Sequence, residues 1–227
     1  MDNFAQRLPR AEVFNKLPAA ECTELIKLAG RRRLKDGEFL CHEGDLWPNV
    51  LFLASGQLRW TMLSGGGREY VLFNIEPDAV FFGHSIFDGL PMPAALMAVE
   101  ASTVYLWPRE VITSVLGRNP SAMWEITRML VRTMRGAREI IYGLAFHPVA
   151  GRLATLLLDR FPCEGDVAIE RDMTLSDIAS MVASSPEVVC RLLQQFHADG
   201  LLEITRAKFV LRDRTALERL IVTVDER

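Results

Sequence analysis

A glutamate, a cysteine, an arginine and a glutamine stand at positions 187, 190, 191 and 194, the i, i+3, i+4, i+7 spacing that places side chains on one face of a helix. Val188, Val189, Leu192, Leu193 and Phe196 fill the opposite side, so the polar stripe is the one turned outward. Such a stripe matches the chemistry of base edges. Arg191 can donate a bidentate pair to guanine O6 and N7, and Glu187 can accept from the cytosine N4 amine. An ordinary surface ion pair between Glu187 and Arg191 is the competing use of the same two charges.

The residues before and after this stripe decide how it is presented. Thr174-Leu175-Ser176-Asp177 has the form of a capping motif and predicts a short helix running through Met181-Val182. The turn Ala183-Ser184-Ser185-Pro186 then supplies a second start signal, with Ser185 as N-cap and Pro186 in the first turn. The second helix covers 186–199 and ends at Gly200, a natural C′ residue. Leu201-Leu202-Glu203-Ile204 and Phe209-Val210-Leu211 flank Thr205-Arg206-Ala207-Lys208, which predicts a β-wing. The expectation is a winged helix-turn-helix whose DNA contacts come from Ser185, Pro186, Glu187, Cys190, Arg191, Gln194, Arg206 and Lys208. Cys190, a thiol beside Arg191, is also a redox candidate; its alternative use is as a small filler against a thymine methyl.

Upstream, the texture of the chain changes twice. Residues 1 to about 30 read as short amphipathic helices. From Leu34 to about Trp107, apolar runs such as Val50-Leu51-Phe52-Leu53-Ala54 and Tyr70-Val71-Leu72-Phe73 alternate with glycines, the pattern of an antiparallel sandwich or barrel. Asn119-Pro120 opens a helix of about 26 residues. Met123, Ile126, Leu130, Thr133, Ala137, Ile140 and Leu144 alternate by three and four along it, the seam of a helix that pairs with another helix, which suggests a dimer spine, with burial inside one monomer as the alternative. A second stripe, Trp124, Val131, Met134 and Ile141, is available to cover the sandwich. His147-Pro148 marks a hinge, and another helix follows through Leu158. The expected organisation is 1–118 sensor domain, 119–146 dimerisation helix and hinge, and 147–227 DNA-binding domain.

Composition sets limits on this reading. A 227-residue chain that is 49% hydrophobic and 24% charged is globular. Cys22, Cys41, Cys163 and Cys190 form no CxxC pair, no apolar run reaches the length of a membrane span, and the N-terminus lacks a signal-peptide centre; a reduced cytoplasmic protein without a membrane partner is expected. His42, His84, His147 and His197 form no metal-spaced pair, and neither GxSxG nor GxxxxGK occurs, so no enzyme is expected. The net charge of −3 argues at first sight against a polyanion. Residues 147–227 are the more acidic part, with 10 basic and 13 acidic side chains. Arg191, Arg206 and Lys208 nevertheless cluster on the helix and wing, which predicts weak non-specific affinity and reliance on two half-sites.

In its order of motifs the sequence resembles the CRP/FNR family of bacterial transcription regulators. Cys41-His42-Glu43-Gly44-Asp45, Ser55-Gly56 and Phe82-Gly83 look like the β-roll turns of that family's cyclic-nucleotide-binding-type domain. The run from Leu144 to Ala154 looks like its hinge and first DNA-domain helix, and the run from Pro186 to Phe196 is similar to its recognition helix. The resemblance implies an α+β protein: an N-terminal antiparallel β-roll of the double-stranded β-helix, jelly-roll type, a long dimerisation helix, and a C-terminal winged helix-turn-helix. It further implies a homodimer on a palindromic operator, DNA bending, and RNA polymerase as a partner. By analogy Glu187 and Arg191 read a G·C pair in a TGA-like half-site; Cys190 replaces a frequent Ser or Gly, and Pro186 stands where some members carry a base-contacting Arg.

Members that respond to cyclic nucleotides hold the ribose with a Glu just after the Phe-Gly turn and the phosphate with an Arg about ten residues on. Here His84 follows Gly83, and residues 85–108 contain no Arg or Lys. A cyclic phosphate would lack its counter-charge, so no cAMP response is expected. An effector pocket built from Phe82, Gly83, His84, Met92, Ala94, Trp124 and Arg128 leaves three alternatives open. His84 resembles the position from which haem-binding, CO-sensing members ligate iron, which makes haem a cofactor candidate. A small apolar effector is the second, and a pocket collapsed around Met92 and Met97 is the third. A binding module acting on a protein partner is the rival to DNA binding.

Overall fold

The computed structural model describes residues 3–160, 168–205 and 207–221. The chain divides into two compact units, one of Met1–Gly67 with Val71–Thr133, the other of Arg68–Tyr70 with Met134–Arg227. The division falls inside the long helix.

The N-terminal part opens with helices α1 (Phe4–Arg7) and α2 (Ala19–Leu28). Eight strands follow: β1 (Gly30–Leu34), β2 (Phe39–Cys41), β3 (Asn49–Ser55), β4 (Leu58–Leu63), β5 (Glu69–Ile75), β6 (Val80–Phe82), β7 (Ala95–Ala98) and β8 (Ser102–Pro108). The one-turn helix α3 (Ser85–Asp88) interrupts them, and α4 (Arg109–Arg118) closes the unit before the long helix α5 (Pro120–Phe146). The strands form two four-stranded sheets, ordered β1-β8-β3-β6 and β2-β7-β4-β5, the arrangement of a double-sheet jelly roll.

Strand β3 shows why the roll has two cores. Its five consecutive apolar residues cannot face one way, because side chains alternate along a strand. Leu51 and Leu53 point into the roll beside Leu58, Trp60, Leu96 and Val104 from the other strands. Val50, Phe52 and Ala54 point out under a cover of helices, where Phe4, Leu8, Phe14, Leu25, Ile112 and Trp107 pack. Register keeps the alternation: Leu51 pairs with Leu106 and Leu53 with Val104, antiparallel. Trp107 completes its burial by donating from Nε1 to the Leu25 carbonyl at 2.8 Å.

Gly83 sits where this packing leaves no room. A Cβ there would lie 2.6 Å from the Trp47 carbonyl oxygen and 2.9 Å from that of Asn49, which already accepts from the Gly83 N–H. Backbone has to move to admit a methyl group. Gly83→Ala is expected to cost about 2–3 kcal/mol and to lower the melting temperature by ~5 °C or more, which a thermal scan followed by circular dichroism measures.

Helix α5 runs 27 residues, close to the length expected from sequence. Its faces differ from the expectation. Ile126 is 2% exposed and packs with Ala122 and Met129 in the helix-covered core, so it does not belong to a seam offered to another chain. The stripe expected to cover the sandwich is instead the open one: Trp124 is 61%, Met134 72% and Ile141 65% exposed. Both flanks of Met123, Leu130, Ala137 and Leu144 carry apolar residues at heptad spacing, and the helix buries the flank where Ala122 and Ile126 allow close approach. Thr133 is exposed, its hydroxyl donating to the Met129 carbonyl, and Ile140 is half-buried.

The C-terminal part contains α6 (Val149–Arg160), β9 (Ala168–Glu170), α7 (Leu175–Met181), α8 (Pro186–Ala198), β10 (Leu202–Ile204), β11 (Lys208–Leu211) and α9 (Arg214–Arg219). The three strands form one sheet, ordered β10-β11-β9. Leu153, Leu157, Ile178, Val189, Phe196, Phe209 and Leu217 are its buried centre. Sequence reasoning missed β9 and α9. Strand β9 offers one inward residue, Ile169, in a charged stretch, whereas α9 had a legible signal in Asp213, which caps it by accepting from the Ala216 N–H at 2.9 Å.

Candidate nucleic-acid interface

The approach to α8 is built as the motif predicts. Thr174 Oγ1 accepts from the Asp177 N–H at 3.1 Å while Asp177 accepts from the Thr174 N–H at 3.0 Å, closing the capping box of α7. Val182 ends that helix, and Ala183 adopts φ +50°, a left-handed conformation that turns the chain. Ser185 then caps α8, its Oγ accepting from the Val188 N–H at 3.5 Å, with Pro186 at the first helical position. At the far end Gly200 takes φ +74°, as expected of a C′ glycine.

Val189, Leu193 and Phe196 bury one side of α8, with Val188 and Leu192 partly buried beside them. Glu187, Arg191 and Gln194 are exposed on the other side, and Cys190 lies half-buried between them. Together with Pro186 and Leu175 of α7 they line an open concavity of about 470 Å³. Leu175 was not expected at the site; it arrives because the turn folds the first residue of α7 against the outward face of α8.

The electrostatics favour contact with a ligand. Among the described residues the Arg191 guanidinium makes no hydrogen bond or ion pair, so the Glu187–Arg191 bridge is not formed. Glu187 turns to its own helix start: the Ser185 hydroxyl and the Glu187 N–H hold its carboxyl below the ordinary carboxylate pKa, keeping it an acceptor. Gln194 donates from Nε2 toward Cys190 Sγ at 3.7 Å, which seats the thiol in the floor of the concavity.

The wing is a tight hairpin. The Thr205 N–H donates to the Lys208 carbonyl at 2.9 Å, and the Lys208 N–H donates to Thr205 Oγ1 at 2.9 Å. Lys208 is exposed at the start of β11. Arg206, the other expected wing contact, lies outside the described residues.

The expected effector residues do not converge. Met92 is 1% exposed and, with Ala94, packs inside the roll against Trp60, Phe81 and Leu96. Phe82 faces the opposite way, because it follows Phe81 on β6 and adjacent residues alternate, and it joins the helix-covered core. Trp124 and Arg128 lie on the surface of α5, Arg128 paired with Glu125 at 3.3 Å. His84 stays solvent-exposed at one edge while its ring stacks on Trp60, centroids 5.6 Å apart. Partial desolvation there lowers its pKa, opposed by Asp88. These residues do not wall a haem: Met92 and Ala94 are closed inside the roll, and Phe82 belongs to the other core. Among the described residues no three His, Cys, Asp or Glu side chains group as a metal site, and no helix is long and apolar enough to cross a membrane.

A jelly roll of the effector-binding type, a long helix and a winged helix-turn-helix define a two-module regulator. Residues 31–119 match the family model of the cyclic nucleotide-binding domain, and residues 151–220 match that of the Crp-like helix-turn-helix domain. The chain is 25% identical over 217 residues to the CRP-like cAMP-activated global transcriptional regulator of Mycobacterium tuberculosis, covering 93% of this chain and 97% of that one. It is 28% identical over 178 residues to the transcriptional activator protein FnrA of Stutzerimonas stutzeri, covering 76% and 72%. A CooA variant from Carboxydothermus hydrogenoformans shares the fold, with a TM-score of 0.75, 21% identity, and coverage of 88% and 90%. The chain belongs to the CRP/FNR family of transcription regulators, and its C-terminal module is that family's helix-turn-helix DNA-binding domain.

Proposed function

We propose that the protein acts as a homodimer that reads a palindromic operator with TGA-like half-sites, α8 of each copy lying in a major groove. The observation that carries this reading is the Ser185-capped helix presenting Glu187, Cys190, Arg191 and Gln194 on one face, with an Arg191 guanidinium that no group among the described residues engages. Glu187 and Arg191 read the G·C pair, the apolar floor of Leu175, Pro186 and Cys190 meets the neighbouring bases, and Lys208 contacts phosphate. Selection of binding sequences from a random duplex pool tests it: paired TGA-like half-sites are expected to be enriched, and a pool without sequence enrichment overturns it.

The second copy docks on the open stripe of α5. Met123, Thr127, Leu130, Met134, Ala137, Ile141 and Leu144 alternate by four and three and are all exposed, the a/d pattern of a two-helix seam. Family membership supplies the occupant.

The sensor module works without cAMP. The Mycobacterium tuberculosis relative is by name cAMP-activated; here His84 and a stretch 85–108 without Arg or Lys leave a cyclic phosphate without a cation, and Met92 and Ala94 occupy the interior. A ligand present at 100 times its Kd adds about 2.7 kcal/mol to stability, so a cAMP-binding member shows a clear thermal shift. None is expected on adding millimolar cAMP to this protein, measured by differential scanning calorimetry.

A further inference from the structure

Arg152 carries out a task that the DNA-reading face does not explain. It lies in the first turn of α6 and is half-buried. Its Nη1 donates to the His147 carbonyl at 2.8 Å, its Nε to the Val182 carbonyl at 2.9 Å, and its Nη2 to the Ala183 carbonyl at 3.4 Å. These acceptors belong to two places far apart in sequence. His147 is the residue after the last turn of α5; Val182 ends α7, and Ala183 is the left-handed residue that swings the chain toward α8. Helix-terminal carbonyls have no partner in their own ladders and carry the negative end of the helix dipole, so a cation among them is favoured. A guanidinium, planar with five donors, serves the three from three separate nitrogens, whereas an ammonium has all its donors on one atom.

The neighbouring residue fixes the other side of α6. A Cβ on Gly151 would lie 2.7 Å from the Leu220 carbonyl oxygen, so α6 abuts the end of α9 backbone to backbone. Apolar contacts among Leu153, Leu157, Ile178, Val189 and Phe196 hold the helices together without Arg152. Desolvating a cation there is costly, and what the cation adds is direction: the end of the spine helix and the turn that launches the recognition helix are bonded to one rigid group.

We propose that Arg152 is a positioning residue that fixes the angle between the end of α5 and α8, and thereby the separation at which the two recognition helices of a dimer meet DNA; this rests on the dimeric operator-reading function proposed above. Half-sites about 34 Å apart demand such a fixed angle. A loosened hinge lets each module still bind one half-site, but it lowers the effective concentration of the second for its own half-site.

The test uses the full-length protein and three duplexes: one selected half-site, two at the selected spacing, and two with one extra base pair between them. Arg152→Gln and Arg152→Lys are expected to lower affinity for the correctly spaced pair by about 10- to 100-fold while changing single half-site affinity by less than about threefold. The penalty of the extra base pair is expected to shrink in the variants, a readout that general destabilisation does not move. Should Arg152→Gln fail to fold, Arg152→Lys, which keeps the charge, decides. Parallel losses on one and two half-sites, or no loss on either, overturn this role while leaving the operator reading intact. A wild type without sequence preference on any duplex overturns both.

Discussion

Arg191→Ala is expected to weaken recognition of the proposed operator strongly while leaving the fold and non-specific DNA binding in place. The side chain is exposed on α8 and bonds to no protein group among the described residues, so its removal leaves no cavity and no orphaned partner. A bidentate arginine–guanine contact is worth about 1–3 kcal/mol of discrimination. With two copies facing two half-sites, as proposed, the expected loss is about 2–6 kcal/mol, a fall in operator affinity of about 30-fold to more than 1,000-fold. Mobility-shift titration at fixed salt reads the loss, and selection from random duplexes is expected to lose its preference at the G·C position alone. Lys208→Ala is the contrast: it weakens all sequences alike and flattens the dependence of log K on log salt by about one unit per copy. An Arg191→Ala protein with wild-type operator affinity would remove the basis of the DNA reading.

The acidic balance of residues 147–227 gives this experiment its contrast. With 13 acidic against 10 basic side chains, the module has little long-range attraction for phosphate. Specific contacts therefore make up a larger share of total affinity than in a basic DNA-binding domain, and deleting one is felt strongly.

What the sequence disclosed depended on whether a local rule was at work. Thr174, Asp177, Ser185, Pro186 and Gly200 each act within a turn or two of chain, and all five sit as caps or turn residues where local chemistry put them. The β-roll was legible for a similar reason, since continuous apolar runs such as 50–54 require burial on both faces. Arg152 and Leu175 were not legible: one acts through carbonyls up to 31 residues away, and the other reaches the site only when the turn has folded. Phe82 and Met92 lie near one another along the chain, but strand alternation sends Phe82 to the other core. The flank of α5 that buries could not be chosen from periodicity, because Ile126, Thr133 and Ile140 repeat as regularly as Thr127, Met134 and Ile141.

That last ambiguity yields a paired prediction. Met134 and Ile141 are among the most exposed apolar side chains of the spine, and they lie seven residues apart, two turns along one line of α5. In a parallel pair of helices each would face its own copy, so Ile141→Lys places two like charges across an apolar seam, and burying them costs several kcal/mol. The dimer dissociation constant is expected to rise by at least about 100-fold, equivalent to ~3 kcal/mol, as read by sedimentation equilibrium. Operator affinity then falls toward that of a single half-site, since both modules are no longer tethered. Ile126→Ala behaves in the opposite manner: a buried isoleucine truncated in the core costs about 2–5 kcal/mol of stability, seen as a lower melting temperature, while the dimer constant of the folded protein stays near wild type. If instead Ile126→Ala dissociates the dimer and Ile141→Lys does not, the partner sits on the flank that this structure buries, and the geometry of the two recognition helices has to be redrawn from that flank.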